Sequence, residues 1–205
     1  MAMRSVPRRA ARAALVESTL RHLMSRGPVA VLPKEICEEL GLSKALVNYH
    51  FGSRSGLVAE AMVLGSRRHF DELCAAVEAA GADPAHRLFA WVERQLEWAV
   101  DNPGLVAALD FVDMVSGADD ELPADARATL VDLGAQHHRL LASLVAAARS
   151  PGRPGSVADD AAAISWLVAG AMVALAAQGA VGLESPGVDT ARRGVRAAAE
   201  AILSG

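Results

Sequence analysis

Aromatic side chains make up only 4% of this sequence. A chain so poor in them, yet 52% apolar overall, suits closely packed helices better than a β-sandwich, whose half-buried strands favour aromatic and β-branched residues. Cysteine is nearly absent too. Cys37 and Cys74 provide neither a disulfide framework nor a paired metal-ligand spacing, which excludes the small cross-linked secreted class and leads us to expect a reducing, cytoplasmic compartment. Long hydrophobic runs are limited to Ile164 through Val181. That run is interrupted by Gly170, Gln178 and Gly179 and consists mainly of small residues, so a buried helix is expected rather than a membrane span. The early arginines Arg4, Arg8, Arg9 and Arg12 are not followed by the apolar core of a signal peptide.

Catalytic signatures are missing as well. There is no Ser-centred nucleophile elbow, no nucleotide-binding glycine fingerprint and no evident acid–base constellation. His137 and His138 are adjacent, so on a helix they point in different directions and lack the i,i+4 spacing of a metal pair. Neither an enzyme, a metal nor a cofactor is expected.

What is present is a strong charge asymmetry. From Met1 to Gly56 there are nine Arg/Lys against four Asp/Glu, a net +5; the remaining eleven against twenty give −9, which sums to the formal −4. A positive end of this kind attracts nucleic-acid phosphates, while the acidic remainder resists indiscriminate adhesion.

The helical periodicity is clear in the same region. Leu15, Val16, Thr19, Leu20 and Leu23 recur at spacings of three and four, predicting an inward stripe on a helix from Arg8 to Met24. A short helix is expected from Pro33 to Leu40, with Ile36, Cys37 and Leu40 on its apolar face and Pro33 at its first position, where a missing N–H is harmless. Gly41 can turn the chain, Ser43 can cap the next helix, and Val47 and Phe51 face inward from it. Lys44, Ala45 and Asn48 are left on the accessible face. Two short helices joined by such a turn form a helix-turn-helix, with the second as a projection. A long helix is expected from Gly56 to Ala80, capped by Ser53 or Ser55, and further helices over 86–100, 105–115, 124–148, 159–178 and 190–203. The expected architecture is all-α, with a three-helix domain over 8–54 joined to a larger helical domain over 55–205.

The segment from Gly41 through Leu57, GLSKALVNYHFGSRSGL, resembles the helix-turn-helix of the TetR family of regulators. The resemblance implies an N-terminal DNA-binding domain, a helical effector-binding domain, a homodimer on an inverted-repeat operator of double-stranded DNA, and repression released by a small organic effector. On this chain it places Lys44, Ala45 and Asn48 near bases and Ser43, Tyr49, His50 and Arg54 near phosphates. Asn48 can offer adenine both a donor and an acceptor, Lys44 can donate to guanine, and Ala45 can sit beside a thymine methyl. The sequence departs from the family pattern at Leu32, Leu46, Asn48 and Gly56. Gly56 in particular removes the acid that would reciprocate a Ser53 cap. The readings that compete with a repressor are an activator and a helical interaction protein that does not bind DNA.

For the effector, Trp91, Trp98, Phe111, Met114 and His137 are the candidate lining, because aromatic and flexible apolar groups accommodate organic ligands; core packing is the competing role for each. Asp110, Asp113 and His138 could add polarity. The two C-terminal helices resemble the family's dimerisation pair. Ile164, Leu167, Val168, Ala171, Leu175 and Val195 offer apolar surface for it, with Gly170 and Ala174 permitting close approach, and an intramolecular core would use the same residues.

Overall fold

Start and stop signals set the helices. The computed structural model describes residues 8–114, 122–181 and 187–204. Among these it contains nine α-helices: α1 (Arg8–Arg26), α2 (Pro33–Leu40), α3 (Ala45–Phe51), α4 (Arg54–Ala79), α5 (Pro84–Asp101), α6 (Pro103–Met114), α7 (Ala124–Ala148), α8 (Val157–Val181) and α9 (Val188–Ser204). A single 3-10 turn, Pro28–Ala30, which the periodicity does not announce, separates α1 from α2. The stretch expected as a loop after Gly182 lies outside the described residues up to position 187.

The start of α5 differs from the sequence expectation for a clear reason. Asp83 accepts a hydrogen bond from the His86 N–H at 2.9 Å and Pro84 occupies the first helical position, so the Asp-Pro pair opens the helix instead of interrupting the chain before it. At α4, Ser53 Oγ accepts from the Gly56 N–H at 3.0 Å. The glycine does more than forgo an acid. A Cβ at Gly56 would lie 2.1 Å from the Phe51 carbonyl oxygen, so the tight entry from α3 into α4 admits no side chain there.

Leu15, Val16, Thr19, Leu20 and Leu23 are all buried, as their spacing predicts. Their partners lie well beyond residue 54. Leu20 and Leu105 converge over Gly65, whose missing side chain lets α1 and α6 close on α4. Gly104 makes a still tighter seam, because a Cβ there would lie 2.2 Å from the Leu23 carbonyl oxygen and 2.3 Å from the Gly27 nitrogen. One apolar cluster therefore runs from Leu15 to Leu203 without interruption. Helix α5 lies at its centre, packed against α4, α7, α8 and α9.

Helix α8 is the one helix, among the described residues, long and apolar enough to cross a membrane by length and composition. Its inward side chains are Ala161, Ile164, Val168, Leu175 and Ala176. Of the residues that could serve either a partner or the core, Ile164, Val168 and Leu175, with Val195 on α9, belong to the core. A helix apolar all round carries no periodicity to say which face turns inward. The face left exposed holds Trp166, 81% accessible, together with Leu167, Gly170, Val173 and Ala174. After α7, the chain from Ser150 to Ser156 is a surface connection, as expected, pinned by a compact ion cluster: Arg149 and Arg153 both approach the buried Asp160 carboxylate at 3.0 Å.

Candidate nucleic-acid interface and effector cavity

Local chemistry builds the first site from α2 and α3. Gly41 adopts the left-handed conformation at φ 63°, and the Leu42 N–H returns to the Cys37 carbonyl at 2.8 Å, closing α2 and turning the chain. Ser43 Oγ then accepts from the Ala45 N–H at 3.3 Å, and the first turn of α3 tightens through Leu46 N–H to Ser43 O and Val47 N–H to Lys44 O. Val47 is buried and Phe51 half-buried, the latter beneath the Arg12 guanidinium. Anchored by these two, α3 leaves Ser43, Lys44, Ala45, Asn48 and Tyr49 all exposed. Lys44 and Asn48 share a groove with Lys34, Glu35 and Glu38 of α2. Lys34, highly exposed at the start of α2, is a cation that the sequence reading passed over.

The angle between α1 and α2 is held by one carboxylate. Glu39 accepts from Arg21 at 2.7 Å, from His22 at 3.1 Å and from the Ser18 hydroxyl at 3.2 Å. These bonds, the arginine's foremost, hold its carboxyl down at about 2. Two further arginine–carboxylate pairs, Arg12 with Glu60 and Arg68 with Glu17, fasten α1 to α4.

Two of the residues expected at phosphates are placed differently. The Arg54 guanidinium donates to the Val31 carbonyl at 2.9 Å and to the Pro28 carbonyl, tying the 3-10 turn to the start of α4. Its first role here is to brace the helix-turn-helix. His50 is half-buried with Nε2 shielded from solvent, its ring set edge-on to Tyr49 at 4.9 Å and to Phe51 at 5.9 Å. Packing of three consecutive rings turns that nitrogen inward. Cys37 is buried, which raises its thiol pKa, and burial raises that of Cys74 as well.

The second site is a cavity of about 310 Å³ between α4, α6 and α7, lined by Ser66, His69, Leu109, Leu130, Leu133 and His137, with Arg127 also on its wall. Of the expected effector residues, His137 is in this lining. Trp98 lies one layer behind, stacked on the His69 ring at 4.0 Å. Trp91 is buried in the core and does not line the cavity, because the apolar face of α5 is turned toward the centre of the bundle. The side chains of Phe111 and Met114 lie outside the described residues, as do those of Asp110 and Asp113; His138 is exposed. Ser66 and His69 were missed by sequence reasoning, for they sit among Arg67, Arg68, Asp71 and Glu72 on an outwardly charged stretch. Among the described residues, no group of three or more His, Cys, Asp or Glu side chains could hold a metal ion.

Residues 15–61 match the family model described as bacterial regulatory proteins, tetR family. A search of curated proteins gave no match. Several solved structures share the fold over nearly the whole chain. One is a protein assigned as a transcriptional regulator from Saccharomonospora viridis, solved with choline: it is 24% identical, with 93% of this chain and 95% of that one covered and a TM-score of 0.73. Another so assigned, from Pseudomonas aeruginosa PAO1, is 20% identical over 98% and 94% of the two chains, with a TM-score of 0.72. The TetR-family transcriptional regulator PfmR from Thermus thermophilus is 22% identical over 92% and 96%, with a TM-score of 0.62.

Proposed function

Because this chain belongs to the TetR family of bacterial regulatory proteins, we propose that it is a cytoplasmic, homodimeric repressor that binds an inverted-repeat DNA operator and is released from it by a small organic effector. The coarser statement, a helix-turn-helix DNA-binding regulator of transcription and not an enzyme, follows from the family itself. The observation that carries the reading is the exposed set Lys44, Ala45, Asn48 and Tyr49 on a seven-residue helix anchored by buried Val47.

In this reading residues 8–54 form the reading head and 55–205 the effector-binding and dimerisation body. Lys44, Ala45 and Asn48 read base edges, Asn48 through adenine. Ser43, Tyr49 and Lys34 hold phosphates, with His50 and Arg54 contributing through the shape they give the head; such contacts position the protein without specifying sequence. Two heads related by a twofold axis demand a symmetric target. The second copy packs on the exposed face of α8 around Trp166 and Leu167, where Gly170 and Ala174 allow close approach.

The effector occupies the cavity between α4, α6 and α7. Its influence on the head requires that it bind one arrangement of the body better than another. The route is short, since α6 borders the cavity at Leu109 and meets the end of α1 at Gly104. Choline, bound by the Saccharomonospora viridis protein, belongs in the first panel of candidate ligands.

Selection of binding sites from a random duplex pool tests the DNA reading. An enriched inverted repeat whose rank order changes with Asn48→Ala is the expected result. Failure of the folded protein to enrich any sequence over a range of salt and ligand conditions would overturn it.

A further inference from the structure

The cavity between α4, α6 and α7 carries information about what it binds. Ser66 and His69 stand three residues apart on one face of α4, 7% and 4% exposed. Ser66 Oγ and His69 Nδ1 are enclosed, and neither has a hydrogen-bond partner among the described residues. Buried polar atoms are nearly always paired, so two orphans side by side in the wall of a cavity mark a place where a partner belongs.

The hydrogen-bond sense of the pair is fixed from behind. His69 Nε2 lies 2.7 Å from Gln95 Oε1, an oxygen that can only accept, so Nε2 carries the ring proton and donates it. Nδ1 is then left with a bare, unpartnered lone pair on a residue that lines the cavity. The ring cannot swing away, since it is stacked on Trp98 at 4.0 Å and 23°. Burial keeps His69 down at about 3 and His137 at about 4, so both imidazoles are neutral near neutral pH. Ser66 supplies a hydroxyl that both donates and accepts. Leu109, Leu130 and Leu133 furnish apolar walls.

We infer that this cavity takes a small hydrophobic molecule bearing a hydroxyl group, such as a phenol or an aromatic alcohol, whose O–H donates to His69 Nδ1 while its oxygen accepts from Ser66 Oγ. The inference rests on the reading of this cavity as the effector site. At about 310 Å³ the space is near the lower end of the ~300–1,000 Å³ typical of small-molecule sites, which suits a ligand of one or two rings. A carboxylate would set an acceptor against an acceptor at Nδ1. Choline has an O–H, but its permanent positive charge finds no carboxylate among the described lining residues and shares the wall with Arg127.

The test is calorimetric titration of the full chain with a matched set: 4-ethylphenol, 4-ethylanisole, ethylbenzene, 4-ethylbenzoate and choline. The phenol should bind about 10-fold or more tightly than the anisole and ethylbenzene, the factor expected for one well-made buried hydrogen bond. Ser66→Ala should weaken the phenol by roughly 3- to 10-fold and leave ethylbenzene unchanged. Equal binding of phenol and ethylbenzene, or equal losses for both in Ser66→Ala, would overturn the hydroxyl assignment. Preference for the benzoate or choline would overturn it too while leaving the cavity as the effector site. Binding of none of the five overturns the assignment, and if a broad ligand panel also leaves DNA affinity unchanged, the effector reading falls with it. The ligand series on the unaltered protein decides the matter even if the variant does not fold.

Discussion

The Glu39 cluster behind the reading helix and the wall of the cavity treat polar groups in opposite ways. In the head, Glu39 is saturated by Arg21, His22 and Ser18, and Arg54 is spent on backbone carbonyls, while Lys44, Ala45 and Asn48 stand exposed at the start of α3. In the body, Ser66 Oγ and His69 Nδ1 are buried without partners beside a cavity. A surface that must meet a long charged polymer is stiffened by internal ion pairs. The cavity wall keeps hydrogen-bonding capacity uncommitted, as the proposed effector site requires.

The sharpest way to break this comparison is at the seams. Gly56→Ala, at the entry from α3 into α4 just past the head, and Gly104→Ala, where the body meets the end of α1, each force a Cβ to within 2.2 Å of a backbone oxygen. Each should lower unfolding stability by about 3 kcal/mol or more, at or above the upper end of ordinary overpacking, because backbone yields less than side chains. Gly134→Ala, with open space around its Cβ, should be nearly neutral in the same chemical denaturation series.

Acid should separate the two regions. His69 is held at about 3 in the folded protein against 6.5 ordinarily, so between those values the unfolded chain binds a proton that the folded one refuses. Stability is therefore complete above pH 6.5 and falls as the pH drops, by about 1.4 kcal/mol per unit for each such histidine. His137, held at about 4, adds to the same slope. The Glu39 cluster has the same sign but a lower window, beginning only below 4.5. Urea unfolding between pH 7 and 5 thus reads the slope of His69 and His137 before Glu39 contributes, and His69→Gln should flatten it.

Two smaller effects sharpen the functional side. Trp166→Ala should weaken self-association by about 2 kcal/mol, as removal of a central interface tryptophan does, measured by sedimentation equilibrium. An unchanged dimer constant would exclude the α8 face. Asn48→Ala should cost about 1–3 kcal/mol of discrimination at one base pair in an operator library. Arg54→Ala should instead lower stability by about 1–3 kcal/mol, through the loss of its buried hydrogen bonds, and weaken all sequences together. A pure change in base preference with stability intact would reverse that assignment.

The helices and the head are legible in the sequence for a physical reason: an amphipathic helix writes its inward face into its spacing, as Leu15, Leu20 and Leu23 show. Caps are equally local, and Ser53 falls where expected. What packs opposite a helix is not local. Ser66 and His69 look like the wet side of a charged helix until α6 and α7 cover them, and Trp166 is indistinguishable by spacing from the core residues of an all-apolar helix. Gly56 is the same lesson at short range: read as a lost cap, it is a position where the neighbouring carbonyl leaves room for hydrogen alone.

The uninterrupted apolar cluster bears on how such proteins can be recombined. Leu20 of α1 meets Leu105 of α6 across Gly65, and Leu23 and Gly27 abut Gly104. A graft cut after residue 54 would carry the DNA-reading residues but abandon half of their foundation. Chimeras that exchange heads must therefore transfer α1 through α3 together with the matching surfaces of α4 and α6, or accept a transplanted head whose seat on the body has changed.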